Sequence, residues 1–112
     1  MDTAFKALAE PRRREILRLV WTEELPAAQI AARFDDVTRS AVSQHLGVLR
    51  EAELVIERRD GTRRLYRANH AEVDRIRQFL DEYWTGSLRR LQDLAESAER
   101  KKAEPKKGTS HG

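Results

Sequence analysis

The sequence predicts a mainly α-helical domain with one small β-hairpin. Residues 39–52 repeat apolar side chains at helical spacing, and a second, shorter segment of the same kind lies just upstream across a tight turn. Downstream, two β-prone runs at residues 54–59 and 62–68 are divided by Asp60-Gly61, a strong hairpin signal. Two helices are expected before this part and one long helix after it.

The segment at residues 39–52 has two different faces. Val42, Leu46 and Leu49 share one apolar stripe. The other face carries small or hydrogen-bonding residues, namely Ser40, Ser43, Gln44 and Gly47. Thr38 is a suitable N-cap because its hydroxyl can accept from a backbone N–H of the first turn. Such a slim polar face can enter the major groove of DNA, although many ordinary surface helices also look like this.

A short helix and a turn precede this segment. Residues 26–34 begin with Pro26 at a permitted first position and place Ile30, Ala31 and Phe34 on the inner face. The turn runs through residues 35–37, with Asp where a Gly is usual, and is expected to be slightly longer than typical. The order of short helix, turn and polar-faced helix is that of a helix-turn-helix, and the hairpin would be its wing.

The hairpin carries a cluster of arginines. A two-residue turn at Asp60-Gly61 would pair Ile56 with Leu65, Glu57 with Arg64 and Arg58 with Arg63, whereas a three-residue loop would change these partners. Like charges directly opposite each other are destabilising unless an anion lies between them. In either register the arginines at positions 58, 59, 63 and 64 lie close together at the tip of the hairpin. The expected anion between them is a DNA phosphate. The alternative is a charged hairpin that contacts only solvent.

Two helices come before the short helix. Residues 3–9 form an opening helix capped by Asp2, and residues 11–21 form the next, with Pro11 at its start. The inward side chains of the second helix are expected to be Ile16, Leu17, Val20 and Trp21. The three arginines at positions 12–14 sit in its first turn, where they either contact phosphate or pair with Glu10 and Glu15.

A long helix from Asn69 to about Ala98 closes the fold. Its apolar stripe is too long for one small domain to cover, so it is expected to pack against a second copy, with help from the opening helix. The expected dimer contacts are Phe5, Leu8, Ile76, Phe79, Leu80, Tyr83, Trp84, Leu88 and Leu91. Gly86 in its middle predicts a bend or a close approach of another backbone.

Three strings, residues 5–17, 41–55 and 59–66, make the chain resemble the ArsR family of bacterial winged-helix repressors. The most specific part is Ser-x-His-Leu-x-x-Leu-Arg at residues 43–50. The resemblance spans about residues 3 to 95. It implies a cytoplasmic homodimer that binds double-stranded operator DNA, commonly represses its own operon, and releases the DNA when an effector or a metal binds. The near-palindromic operator would be read by two recognition helices.

The resemblance also implies which residues meet DNA. The candidates are Thr38, Arg39, Ser40, Ser43, Gln44 and His45 on the recognition helix and Arg58, Arg59, Arg63 and Arg64 on the wing. Glu53 stands where relatives often have a Gly. The helix must then end without a glycine, which adopts the left-handed conformation at no steric cost, so the free energy of folding is less favourable by roughly 1 kcal/mol. We interpret His45 as a half-buried side chain that donates to a phosphate or a backbone carbonyl, in preference to a metal ligand.

Several other functions find little support. The chain has no cysteine, so the paired thiolates of soft-metal sensors are impossible. On the long helix the potential hard-metal ligands are His70, Glu72, Asp74, Asp81 and Glu82. One histidine among scattered acids is a poor zinc site, so no metal and no cofactor are expected. No nucleophile motif or phosphate loop suggests an enzyme, and no apolar run suggests a membrane segment.

Charge divides the chain into two parts. Residues 99–112 contain five basic and two acidic residues, which accounts for the whole net charge of +3. We therefore expect one domain over residues 1–98, with residues 70–98 as its dimerisation helix, and a disordered basic tail over 99–112. A different interpretation is a winged-helix protein-interaction module that docks a partner around Tyr83-Trp84. Salt-sensitive duplex binding distinguishes the two.

Overall fold

The computed structural model describes residues 1–103 and has the predicted mainly α-helical fold with a small antiparallel sheet. The helices are α1 (Asp2–Ala9), α2 (Pro11–Leu19), α3 (Ala27–Ala32), α4 (Arg39–Glu51) and α5 (His70–Ala103). The strands are β1 (Leu25–Pro26), β2 (Val55–Asp60) and β3 (Arg63–Ala68), in the order β1-β3-β2. Residues 1–76 form a compact body, and residues 77–103 form the rest of α5.

The core of the body is apolar and draws on every helix and strand. Its largest fully buried side chains are Ile16, Val20, Ile30, Val42, Leu46, Leu49 and Leu54. The predicted stripe of α4 is therefore confirmed, because Val42, Leu46 and Leu49 are all buried. No charged residue among the described ones is buried, so apolar packing is the main interaction in the core.

The boundaries of the first two helices differ from prediction. α1 begins one residue early, at Asp2, and its N-cap Met1 makes no side-chain bond, so Asp2 is not the cap. Its carboxylate lies in the first turn, where the helix dipole favours a negative charge. α2 begins at Pro11 as predicted but ends at Leu19. Trp21 consequently lies beyond the helix and is 39% exposed instead of inward, with its ring 4.2 Å from that of His70.

The third helix is shorter than predicted because its first residue belongs to the sheet. Pro26 is the N-cap of α3 and pairs with Leu65 in β3. Proline is tolerated there because β1 is an edge strand. The connection to α4 spans residues 33–38, which is longer than a tight turn, as predicted. Neither Asp35 nor Asp36 has a positive φ, so the longer path makes the usual glycine unnecessary.

The hairpin register expected from an Asp60-Gly61 turn is wrong. The turn is Gly61-Thr62, and Ile56 pairs with Arg67, Glu57 with Tyr66 and Arg58 with Leu65. The two registers differ by two residues, so every side chain keeps its face, and the hydrophobic pattern cannot distinguish them. Turn geometry decides instead, because Gly61 has φ +65°, which suits the first central position of a type II′ turn. The opposed like charges are Arg59 and Arg64.

The end of α4 confirms the unusual role predicted for Glu53. Its φ is 61°, in the left-handed region. The N–H of Leu54 donates to the carbonyl of Leu49 at 2.9 Å, and that of Glu53 donates to the carbonyl of Arg50 at 2.9 Å. These two bonds form a Schellman motif with a glutamate in the place of glycine. The Asn69 side chain donates to the Glu53 carbonyl at 2.9 Å and so holds the strained residue.

α5 starts where expected and runs further than expected. The side chain of Asn69 accepts from the Glu72 N–H at 3.4 Å, as an N-cap does. The helix continues five residues beyond Ala98, because residues 99–103 contain only good helix formers. The rest of the predicted disordered tail, residues 104–112, lies outside the described residues. A Cβ added at Gly86 would meet no neighbouring atom of residues 1–103 within 4 Å. The close approach of another backbone, which is one of the two predictions for Gly86, is therefore not made by residues 1–103.

The part of α5 after Ile76 carries a row of exposed apolar side chains, which we call the exposed stripe. It consists of Leu80, Tyr83, Trp84, Leu88, Leu91 and Leu94. These side chains are 46 to 67% exposed, far more than apolar residues that pack in a core. No helix within residues 1–103 is both long enough and apolar enough to cross a membrane.

Replacing Glu53 by glycine is expected to stabilise the protein. Glu53→Gly removes the Cβ that disfavours φ 61°, so the free energy of unfolding should rise by about 1 kcal/mol. Denaturant titration at a fixed chain concentration measures this. Glu53→Ala, which loses the same carboxylate but keeps a Cβ, should give no such gain. Equal effects of the two substitutions would contradict the strain at this position.

Candidate nucleic-acid interface

The polar face of α4 is exposed along its first two turns. Arg39, Ser40, Ser43 and Gln44 all lie on the surface. Thr38 is the predicted N-cap, since its Oγ1 accepts from the Ala41 N–H at 3.0 Å. The structure therefore brings these five predicted residues together on one side of the helix, around an N-terminus whose remaining N–H groups can face an anion.

His45 is half-buried at the edge of this face, as predicted. Within the described residues no backbone carbonyl accepts a hydrogen bond from it, and donation to a phosphate stays a prediction. Its Nδ1 lies 3.3 Å from Nη1 of Arg13, so the ring accepts at that nitrogen instead of donating to a carbonyl. Burial, followed by the charge of Arg13, lowers the pKa of His45 below its ordinary 6.5. This lowered pKa favours the neutral imidazole.

The first arginine of α2, Arg12, ties that helix to the turn before α4. It forms an ion pair with Asp36 at 2.7 Å and a longer one with Glu15 at 3.6 Å. Its guanidinium also stacks over the Phe34 ring at 5.0 Å. Of the two alternatives left open by the sequence for this cluster, pairing with Glu15 is present.

Arg13 and Arg14 bind the C-terminal carbonyls of α1. Arg13 donates to the carbonyls of Ala7 at 2.7 Å and Lys6 at 3.1 Å, and Arg14 donates to that of Leu8 at 2.7 Å. The last carbonyls of a helix have no partner within the helix, and nearby basic side chains commonly satisfy them. Sequence reasoning missed this role, although a short helix followed closely by arginines is its signal.

Most wing arginines are paired with acidic residues. Arg63 lies 3.4 Å from Asp60, and Arg64 lies 3.7 Å from Glu57. Arg58 makes a bidentate pair with Glu24, with N–O distances of 2.7 to 3.0 Å. For Arg59, exposed beside Arg64, no acidic partner is found in the described residues. The predicted cationic tip therefore exists, with Arg59 as its most available charge.

Glu24 was not singled out from the sequence, yet it controls the geometry of Arg58. The residue precedes β1, which pairs with β3 on the side opposite β2, so Glu24 and Arg58, 34 positions apart in the chain, meet across β3. The hydrogen bond from Arg58 is the main cause that lowers the pKa of Glu24. Both groups are charged at neutral pH, so a DNA phosphate near Arg58 would compete with this carboxylate.

Glu57 connects α4 to the wing. It accepts a 2.6 Å hydrogen bond from the Tyr66 hydroxyl, and Arg50 at the end of α4 approaches it to 3.4 Å. The Tyr66 bond is the largest cause that lowers the pKa of Glu57, and burial raises the pKa of Tyr66. This contact orients the hairpin relative to the recognition helix. Sequence reasoning missed it because it assumed that Glu57 faces Arg64.

Within residues 1–103 no group of three or more His, Cys, Asp or Glu side chains is placed to hold a metal ion. His70, the histidine at the start of α5, has its Nε2 at 2.7 Å from the carbonyl oxygen of Trp21.

The short helix α3, the turn, the polar-faced α4 and the arginine-bearing hairpin define a winged helix-turn-helix protein. A family model described as a helix-turn-helix domain matches residues 8–58. The HTH-type transcriptional regulator Rv2034 of Mycobacterium tuberculosis is 40% identical over 96 residues, which covers 86% of this chain and 89% of that protein. An arsenical resistance operon repressor of Staphylococcus xylosus is 36% identical over 81 residues, covering 72% and 77% respectively.

A solved structure agrees with these relatives. The ArsR-like transcriptional regulator from Rhodococcus sp. RHA1 matches with a TM-score of 0.77 at 30% identity, covering 87% of this chain and 91% of that one. The chain belongs to the ArsR family of helix-turn-helix transcriptional regulators. It is a DNA-binding transcription regulator, and the family is not one of enzymes.

Removing the Glu24 carboxylate is expected to strengthen binding to DNA of any sequence. Glu24→Gln releases Arg58 for phosphate contact, so affinity for a random-sequence duplex should rise, and the dependence of log affinity on log salt should steepen by about 1. Fluorescence anisotropy at several salt concentrations measures both quantities.

The matched control is Glu23→Gln, which changes the charge equally next to the same strand. No ion pair of Glu23 is found in the described residues, so its removal should change affinity less and leave the salt slope nearly unaltered. A weaker complex in Glu24→Gln would mean that Glu24 positions Arg58 for DNA instead of competing with it.

Proposed function

We propose that this protein is a homodimeric repressor that binds a near-palindromic operator through α4 and the wing. The observation that carries the proposal is the exposed polar face of α4, set beside an arginine-bearing hairpin in one compact body. The face supplies groups that can read bases, and the hairpin supplies charge that can bind the backbone.

The base-reading part of the proposal rests on side-chain chemistry. Gln44 can pair its amide with the N6 and N7 atoms of adenine, while Ser40 and Ser43 are short enough to let the helix sink into the groove. Arg39 at the N-terminus can reach a guanine or a phosphate. All four side chains are exposed, so no rearrangement of the core is needed for them to meet DNA.

The backbone-binding part rests on the wing. Arg59 has no acidic partner in the described residues, and Arg64 directly opposite it is held by Glu57 only at 3.7 Å. Two cations facing each other across a hairpin repel, and a bound phosphate removes that repulsion. Arg58 and Arg63 can join once phosphate displaces their acidic partners.

The proposed partner of the exposed stripe is a second copy of the chain. Six large apolar side chains on one helix form a surface that water disfavours, and a twofold axis lets the same stripe cover itself. Phe79, which is 42% exposed, joins the stripe. Ile76 is 3% exposed and packs in the core of its own chain, so it contributes indirectly. Phe5 and Leu8 of α1 are half-buried against the core and have surface left for a partner.

Dimerisation serves recognition in this proposal. Two recognition helices about one turn of B-DNA apart, roughly 34 Å, read two half-sites related by the same twofold axis as the protein.

The repressor assignment is supported by the similarity to the arsenical resistance operon repressor of Staphylococcus xylosus. We place the protein in the cytoplasm, where bacterial operator DNA lies. Because the chain lacks cysteine, a signal sensed through thiolates is excluded from the proposal, and no effector is assigned.

Gln44→Ala is expected to relax base choice at one operator position. The best site should lose about 1 to 3 kcal/mol of binding free energy, and other sequences should lose little. Sites selected from a random duplex pool and ranked by sequencing measure this. Gln78→Ala, an exposed glutamine on α5, is the control and should leave the ranking intact. A uniform loss over all sequences would refute the role of Gln44, and no selectivity in the wild type would favour the protein-interaction alternative.

Leu88→Glu is expected to yield a folded monomer with weaker operator binding. Leu88 is 46% exposed in the single chain, so the change costs the body little, but it places a charge within the proposed interface. Sedimentation velocity gives the oligomeric state, and circular dichroism confirms the fold. Gln78→Glu adds the same charge on the side of α5 away from the exposed stripe and should remain dimeric. A wild-type monomer at micromolar concentration would rule out the dimer.

A further inference from the structure

Arg13 connects the end of α1 to the recognition helix. Its Nε donates to the Ala7 carbonyl at 2.7 Å, its Nη2 donates to the Lys6 carbonyl at 3.1 Å, and its Nη1 faces Nδ1 of His45 at 3.3 Å. Each of its three nitrogens therefore has a partner. The two carbonyls belong to a helix terminus and hold the guanidinium in place next to α4.

This contact determines which nitrogen of His45 carries the proton. A guanidinium has only donors, so Nδ1 must present its lone pair to Arg13. In a neutral imidazole the single N–H is then on Nε2. Adding a second proton would require an N–H at Nδ1 pointing towards a cation. Of the charged groups around the ring, Arg13 and Arg12 oppose that protonation and Glu10 favours it.

We propose that Arg13 is a positioning residue for DNA recognition that acts through His45. Arg13 keeps the imidazole in the tautomer whose single N–H is on Nε2. This Nε2–H donates to a hydrogen-bond acceptor of the bound DNA. This inference rests on the proposed function of α4. The acceptor is either a base atom, such as N7 of a purine, or a phosphate oxygen. The opposite tautomer would offer a lone pair and would match the amino groups of cytosine or adenine instead.

Two further observations support the proposal. No group in the described residues accepts a hydrogen bond from Nε2, so this donor has no partner within residues 1–103. His45 also lies next to Gln44 and one helical turn before Val48, which is 37% exposed, at the border of the face proposed to enter the groove. Three of the five N–H donors of Arg13 are engaged in these contacts, which hold the guanidinium between the end of α1 and His45.

The first test needs no DNA. In protein labelled with ¹⁵N at histidine, wild-type His45 should show a protonated Nε2 and an unprotonated Nδ1, and its pKa should lie below 6.5. Arg13→Met should raise that pKa and increase the imidazolium population near pH 6. Arg14→Met is the matched control, because it also removes a guanidinium held on an α1 carbonyl but has no contact with His45. It should leave the ¹⁵N signals unchanged.

The second test uses duplexes selected by the wild-type protein. Arg13→Met should weaken the best site by roughly fivefold to tenfold, about the value of one neutral hydrogen bond, while Arg14→Met should not. The loss should vanish when Arg13→Met is made in a His45→Ala background, because the histidine is then gone. Substituting 7-deazapurines one position at a time identifies a base acceptor, and methylphosphonate linkages identify a phosphate acceptor. Either acceptor supports the proposal.

Two results would overturn the inference. One is unchanged ¹⁵N signals in Arg13→Met, and the other is a loss of affinity that persists in the His45→Ala background. If Arg13→Met fails to fold, Arg13→Gln removes the charge with a smaller loss of packing and takes its place in both tests. Failure of the wild-type protein to select any duplex would count against the proposed function instead, and the NMR test would still report on the pairing of Arg13 with His45.

Discussion

Burial of one stripe of α4 is the constraint on which the proposed DNA-binding surface depends. Val42, Leu46 and Leu49 lie in the core, and each buried aliphatic side chain of this size contributes roughly 1.5 to 3 kcal/mol. With that stripe fixed, the rotation of the helix is fixed, and the serines and Gln44 of the opposite face must point outwards. The geometry of the functional face is thus a consequence of apolar packing on the other side of the helix.

The ends of α4 are set by different interactions. Thr38 caps the start, and the turn before it is held by the Arg12–Asp36 ion pair. At the other end Glu53 occupies a left-handed conformation and is held by Asn69 at the start of α5. Together these contacts fix where α4 begins and ends relative to the turn and the wing.

The arginines of this protein fall into two groups with different consequences. Arg12, Arg13 and Arg14 hold helix ends and the turn. On the wing, the exposed side chains of Arg58, Arg63 and Arg64 pair with acidic residues. Exposed ion pairs contribute little to stability, so the wing pairs can be exchanged for phosphate at low cost. A chain with zero net charge over residues 1–98 can therefore bind a polyanion, because its positive charge is concentrated on the hairpin.

The amino-acid pattern alone determined the helix order, the apolar stripe of α4, its Thr38 cap and the Asn69 cap, because each depends on neighbours within a few positions. The helix end at Glu53 was expected from the family resemblance. The amino-acid pattern could not determine the hairpin register. A shift of two residues leaves every side chain on the same face, so only the turn at Gly61 distinguishes the two registers. The short strand β1 and the pairs Arg58–Glu24 and Arg13–His45 join residues that are 32 to 41 positions apart. Only the tertiary structure decided those, because local spacing carries no information about which distant side chains packing will bring together.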